Sequence, residues 1–380
     1  MKVRLGDICT ITGGYAFDSL KMTQKGEYQI IKMGNLYNGI FDLSRNSSFI
    51  NAPTKKELDY LIQENDILIT LTGTTNKKDY GYTVQMKQPK NLLLNQRCAL
   101  IRASKVNEKY LFYLLNSNDF LKQFYASSTG GTGNQTNVSI NDMLDFKVCI
   151  SNENDQLKIS NILSALDKKI LTQIKIIDDL VLQKKYVISS LLKSIQDNEK
   201  IMLKDILFDY NIKTTINNEY PVLSSTASGM YLQSDYFNKE TSSDNTIGYK
   251  IVPRGYCTYR SMSDTGLFTF NIQNLVEKGI VSPAYPVFSS NDDYINEFII
   301  LYLNNSSYIK KQILELKSGG TRFALPFSTL CTLKIPKLEK EKQLSLIKTI
   351  TAFERKIENE EIILNALHQQ KIFLLNNMFI

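Results

Sequence analysis

The chain has 380 residues, 43% of them hydrophobic and 22% charged, with a formal net charge of +7. That composition describes a folded protein of two or three domains and excludes a disordered chain. MKVRLGDIC carries no apolar signal region, and no uninterrupted apolar run approaches the ~18 residues of a membrane span. The five cysteines (Cys9, Cys98, Cys149, Cys257, Cys331) are scattered, odd in number and never spaced CxxC. A disulfide framework and a zinc site are therefore not expected, and a cytoplasmic location is.

The first globular part, expected over residues 1–150, opens on the strand-like phrase KVRLGDI. YQIIKMG, DILITLTGT and LLLNQRCALIRA follow, short β-branched and apolar runs between turn residues that read as strands. NEKYLFYLLNS reads as one short amphipathic helix with Asn/Ser stops, and DFKVCI as a closing strand. Mixed strands with few helices make this an α+β domain. Residues 1–147 hold 18 basic against 13 acidic residues, so most of the positive excess sits here and favours a polyanion such as DNA.

Residues 151–198 are dominated by the stretch Gln156–Ile195, forty residues without Gly or Pro. Leu163, Ile170, Ile177 and Leu191 share one heptad position; Leu166, Leu180 and Val187 share a second, in register with Gln173. The spacing predicts a long amphipathic helix with a coiled-coil seam, roughly 60 Å long at about 1.5 Å per residue. A stripe that long needs a partner, and the chain supplies one. At a shift of 187 residues Gln343 falls on Gln156, Ile350 on Leu163, Glu354 on Asp167 and Lys371 on Lys184. The lysine lies at an a-type seam position in both copies, where it sets register.

The repeat extends to the globular parts. KIMLKDI (Lys200–Ile206) repeats the opening phrase, NEFIILYLNNS (Asn296–Ser306) the short helix, and TLKIPKL (Thr332–Leu338) the closing strand. YPVLSST, GYCTYRSMS and GIVSPAYPVFSS read as strands of the second copy. The layout is a domain at 1–150, a helix at 151–198, a domain at 199–336 and a helix at 337–380. The fold expected is α+β, two similar domains joined and spaced by two long antiparallel helices.

Catalytic constellations are missing from the pattern. The one histidine, His368, lies off the seam of the last helix, which argues against histidine-based hydrolysis and zinc chemistry. GTGNQT (Gly131–Thr136) lacks the third glycine of a dinucleotide fingerprint, and GTTNKK (Gly73–Lys78) is no phosphate loop. No Asn/Asp-Pro-Pro-aromatic phrase of an amino-methyltransferase is present. The informative residues lie in polar loops at matched places. In the first half these are Thr72, Thr74, Lys77, Lys78 and Tyr80, then Thr132, Asn134 and Gln135, with Arg97 on a strand whose counterpart GIVSPAYPVF has no basic residue. In the second they are Ser225, Thr226, Tyr259, Arg260, Ser261, Ser263, Thr321 and Arg322. Arg reads guanine edges, Asn and Gln read adenine, and Ser, Thr and Lys hold phosphates, so the set suits DNA. A non-catalytic protein-interaction scaffold, its paired domains binding peptide or protein and its coiled coil a spacer, is the alternative from a different class.

The chain resembles the specificity subunit of type I restriction–modification systems along its length. LGDICTITGGYAF (Leu5–Phe17), the glycine loops and DQLKISNILSALDKKI (Asp155–Ile170) are similar to phrases of that family's first half. YPVLSSTASGMYLQSDYF (Tyr220–Phe237), YRSMSDTGLFTFN (Tyr259–Asn271) and GIVSPAYPVF (Gly279–Phe288) are similar to one type of second recognition domain. It departs from the family's pattern at Lys342, where Asp155 precedes the glutamine in the first copy, and at ISNEN (Ile150–Asn154), where a proline-rich lead-in is usual. The resemblance implies a non-catalytic, sequence-specific binder of double-stranded DNA. Its two recognition domains would read a bipartite asymmetric target, with the helices as spacer. Two modification (methyltransferase) subunits and two restriction (helicase-nuclease) subunits would be its partners. It also implies that this chain binds no cofactor, S-adenosylmethionine and ATP with Mg belonging to the partner subunits.

Overall fold

The computed structural model describes residues 1–130, 134–236, 245–316 and 323–379. The chain divides into two compact units, residues 1–174 with 362–380, and residues 175–361. Each combines one globular domain with part of each long helix. Among the described residues no helix is long and apolar enough to cross a membrane.

The duplication seen in sequence reaches the order of the strands. The first unit has a four-stranded antiparallel sheet ordered Cys9–Gly13, Cys98–Ala103, Ile67–Thr70, Thr83–Gln85. The second has Leu207–Asp209, Val287–Ser290, Cys257–Tyr259, Phe270–Ile272 in the corresponding order. In both, the opening phrase pairs with the closing strand: Lys2–Arg4 with Lys147–Cys149, and Lys200–Met202 with Lys334–Pro336. Each domain is thus closed at the point where its long helix begins.

Two expectations need correction. LLLNQRCALIRA is two strands, Leu92–Leu94 and Cys98–Ala103, in different sheets. The break falls at Arg97, whose φ of +73° no extended strand accommodates. GIVSPAYPVFSS likewise divides, into Lys278–Val281 and Val287–Ser290. At the place where one short helix was expected, each half has a consecutive pair: Glu108–Leu114 with Asn118–Ala126, and Asn296–Asn305 with Ser307–Glu315. Ser117 stops the first by starting the next, its side chain accepting a hydrogen bond from the Phe120 N–H.

The long helices run Glu153–Ser194 and Lys340–Asn377. In the first unit Leu163 of one and Phe379, just beyond the other, join the domain core, with Phe379 5.2 Å from the Tyr110 ring centre. In the second unit Ile188, Leu192, Ile195 and Ile350 join Leu203, Phe288, Phe298 and Tyr302. Near the end of the first helix the buried stripe therefore falls on Ile188, Leu192 and Ile195. Val187 and Leu191, expected on the seam, are only partly buried. An α-helix drifts against a strict heptad, and here its contact surface includes the globular domain.

Lys371 meets Asp167 at 2.7 Å in the first unit, and Lys184 meets Glu354 at 2.9 Å in the second. Together with the apolar contacts these fix an antiparallel pairing within each unit, and the seam lysine finds a carboxylate in both. Gln156 and Gln343, related by the 187-residue shift, tie helix to domain. The Asn107 N–H donates to Gln156 Oε1 and the Ile295 N–H to Gln343 Oε1, both at 3.0 Å. Their amide nitrogens donate to the Ser151 and Leu338 carbonyls. Both glutamines are buried, and Lys342 in place of an acid leaves the second set intact. Truncating Gln343 strands the partly buried Ile295 N–H and removes a buried amide, so Gln343→Ala should cost about 1–3 kcal/mol. The exposed Gln370→Ala should stay within about 0.5 kcal/mol. Urea unfolding of the two variants checks this.

Candidate nucleic-acid interface

In the first unit the strand Ile67–Thr70 leaves the central sheet and continues as Thr72–Thr74. That segment pairs antiparallel with Gln135–Asn137, Thr74 opposite Gln135 and Thr72 opposite Asn137. The Thr75 N–H adds a bond to the Asn134 carbonyl at 2.9 Å. In the second unit Cys257–Tyr259 leaves its sheet in the same way. Met262–Ser263 then pairs with Phe323–Ala324, and the Leu325 N–H donates to the Ser261 carbonyl at 2.8 Å. The two polar loops singled out in each half are therefore joined, by the same kind of strand pairing.

The joined loops rest on buried tyrosines. Tyr80 is buried, its ring against Phe124 and Tyr125, and the Tyr125 hydroxyl donates to its carbonyl at 3.0 Å. A side chain at Gly73 would lie 2.3 Å from that ring, so only glycine lets the loop pass. Tyr259 is fully buried and donates its hydroxyl to the Leu325 carbonyl at 2.8 Å, holding the second loop from beneath. Burial pushes that phenol well above its ordinary pKa, so it stays a proton donor.

These placements revise the expected contact set. Thr72 is buried and donates to Asn137 Oδ1 at 2.9 Å. Ser225 is buried, and Asn271 donates to its hydroxyl and to the Thr226 carbonyl. Thr72, Tyr80, Ser225 and Tyr259 therefore support loops; burial keeps them from a ligand surface. The Thr226 hydroxyl turns back to the Gly229 carbonyl and that of Ser261 to the Ala284 carbonyl, while Ser263 lies 3.3 Å from Thr265 Oγ1. Lys77, Lys78, Arg97, Asn134, Gln135 and Arg260 are exposed. Lys78 sits 5.3 Å over the Tyr125 ring. Thr132, Thr321 and Arg322 lie outside the described residues.

One organising residue escaped the sequence reading. Asp79 accepts hydrogen bonds from both the backbone N–H and the hydroxyl of Thr74, each at 2.7 Å, closing the loop that presents Lys77 and Lys78. The bonds from Thr74, backbone first, hold its carboxyl below the ordinary range. The only sequence signal was an acid ending TTNKKD, a side chain able to cap backbone groups of its own turn. All five cysteines are free thiols, and burial pushes Cys9 and Cys98 up to about 12, away from nucleophilic chemistry.

Residues 1–180 match the profile of the type I restriction modification DNA specificity domain. Over those residues the chain is similar to that specificity domain. Solved structures agree in fold along the whole chain. The type I restriction–modification S subunit from M. genitalium matches with a TM-score of 0.53 at 15% identity, covering 100% of this chain and 96% of its own. A chain from a structure of type I R-M complex assembly and conformational transition matches at 0.61 and 13%, covering 100% and 97%. The HsdS subunit from Thermoanaerobacter tengcongensis matches at 0.50 and 13%, covering 100% and 96%. The specificity fold thus spans both units, and the joined loops are features within it.

Asp79 gives a direct test of loop order. Asp79→Ala should remove about 1.5 kcal/mol of local order, roughly tenfold faster exchange of the Thr74 amide, with core amides unchanged. Because the folded carboxyl titrates below its unfolded value, its stabilisation is complete above about pH 4. It is lost as pH falls through the lower folded value. Hydrogen exchange of the variant and NMR titration of wild type measure the two effects.

Proposed function

We propose that this chain is the DNA-reading subunit of a type I restriction–modification complex, each unit's domain reading one half of a bipartite asymmetric target. The observation that carries the reading is the repeated construction of one surface. In both units two polar loops are joined by strand pairing, braced by a buried tyrosine, and present exposed cations: Lys77 and Lys78 in the first, Arg260 in the second. None of these cations forms a salt bridge among the described residues. Exposed cations, and in the first unit the exposed Asn134 and Gln135 on the paired loop, suit phosphates and base edges.

On this reading the chain performs no chemistry. Two modification subunits dock on the long helices and bring S-adenosylmethionine; two restriction subunits bring ATP and Mg. The assembly works on chromosomal and incoming double-stranded DNA in the cytoplasm. The helices set the number of unread base pairs between the half-sites.

Two measurements test the reading. Arg260→Ala should cost about 1–3 kcal/mol and relax preference at one position of the second half-site, whereas Lys77→Ala should weaken every sequence alike. Binding assays against a library of target variants separate these outcomes, and unchanged affinity and preference for both would overturn the assignment. Inserting four helical residues near Asp178–Asp179 adds about 6 Å of rod, between one and two base pairs at ~3.4 Å each. The methylated motif should keep both half-sites and gain that much spacer, as read by methylome sequencing. A stable complex with the original spacer would remove the spacer role, and a scaffold for peptides would give no motif at all.

A further inference from the structure

The first unit holds a concave site that the joined loops leave unused. Beside the strand break at Arg97 lies a cavity of about 400 Å³ whose polar lining is Ser19, Lys32, Asn95, Gln96 and Arg97. That lining has two cations, two neutral amides and a hydroxyl, and no carboxylate. Lys32 donates to the Ser48 hydroxyl at 2.6 Å, a neutral acceptor that leaves its charge uncompensated. Neither Lys32 nor Arg97 has a carboxylate partner among the described residues.

The backbone carrying these cations is fixed before any ligand arrives. The Asn95 N–H donates to the Ile31 carbonyl, the Gln96 N–H to Tyr15 and the Gly14 N–H to Cys98, at 2.9–3.0 Å. Gly14 packs so tightly here that a Cβ would lie 2.0 Å from the Asn95 carbonyl oxygen. Arg97 itself stands at φ +73°, a left-handed conformation uncommon for a side-chain-bearing residue and held only where its surroundings enforce it. On the other side the Lys32 N–H donates to Asn35 Oδ1, and the Asn35 amide is tied to the Asp42 and Arg45 carbonyls. The Leu71 N–H donates to the Arg97 carbonyl at 2.9 Å, which joins this turn to the strand entering the Thr72–Thr74 loop.

We propose that Lys32 and Arg97 form a clamp for one backbone phosphodiester of the DNA whose bases the first unit's loops read. This rests on the DNA-reading function above. A phosphodiester is favoured over a base edge because a neutral edge would leave the two cations of one cavity without an anion. One phosphate answers both with charge-assisted hydrogen bonds. The clamp adjoins the reading loop through the Leu71–Arg97 bond, so it positions the duplex and carries no sequence preference.

The test uses the full chain, a fluorescent duplex carrying the motif found by methylome sequencing, and a scrambled duplex, each across a salt series. Lys32→Gln with Arg97→Gln should flatten the slope of log affinity against log salt by about 0.9, one phosphate contact, equally for both duplexes. Lys32→Gln alone leaves the left-handed turn untouched and should flatten it by part of that amount, again equally for both duplexes, which keeps the test alive if the double variant fails to fold. An unchanged slope with wild-type affinity would overturn the clamp and leave the loop assignment standing. A loss confined to the motif-bearing duplex would make Arg97 a base reader and overturn it too. Failure of the wild type to bind either duplex would remove the DNA-reading function itself.

Discussion

An amphipathic helix of 42 residues cannot cover its own apolar stripe, and the fold follows from how that stripe is covered. Within each unit the covering surface is an antiparallel stretch of the other long helix together with the domain core. The seam pairs, Asp167 with Lys371 and Glu354 with Lys184, are one interaction written twice. The 187-residue repeat exchanges acid and lysine between the two helices. The paired groups keep a quarter to a half of their side-chain surface in water, with Lys371 and Asp167 at 28% and 29%, so each contributes little to stability. Their effect is on register, because a slip by one heptad would leave a seam lysine facing apolar side chains. Stability comes from the stripe itself, at about 1.5–3 kcal/mol for each large apolar side chain fully buried.

The same helices are structural members of the domains. Leu163 and Phe379 lie in the core that holds Tyr110 and Phe120, and Ile188 and Ile350 in the core that holds Tyr259 and Phe288. Asp167 accepts from the Tyr113 hydroxyl at 2.8 Å while it holds Lys371, so one carboxylate links helix, helix and domain. From those cores buried tyrosines reach the polar loops, Tyr259 by its hydroxyl and Tyr80 by its ring. Loop position is therefore set by packing that begins at the seam.

The helices, their repeat and their pairing were legible because periodicity over forty residues has few alternative explanations. The matched loops were legible as places, since a duplicated frame puts equivalent positions in register. What each loop residue does was not. Tyr80 and Tyr259 look alike whether they cover a core or face a ligand, and only the density of contacts beneath them decides. Thr72 and Ser225 were ambiguous for the same reason, a hydroxyl being as able to bridge two strands as to meet a phosphate. The break at Arg97 left no trace, because a left-handed residue inside LLLNQRCALIRA is enforced by the Gly14 and Tyr15 segment, far away in sequence.

The two units have one strand order and one way of joining loops, yet they differ at the surface. The first carries its cations on the long turn closed by Asp79. The second places Arg260 directly at the end of a core strand and packs Gly266 beneath Phe323. In neither case does an exposed cation contribute to the seam or to the cores. A substitution at Lys77 or Arg260 alters the surface without touching the packing that positions it, whereas one at Tyr259 or Gly73 would move the loop. Such a division lets the loops diverge in chemistry while both halves keep the helical pairing they share.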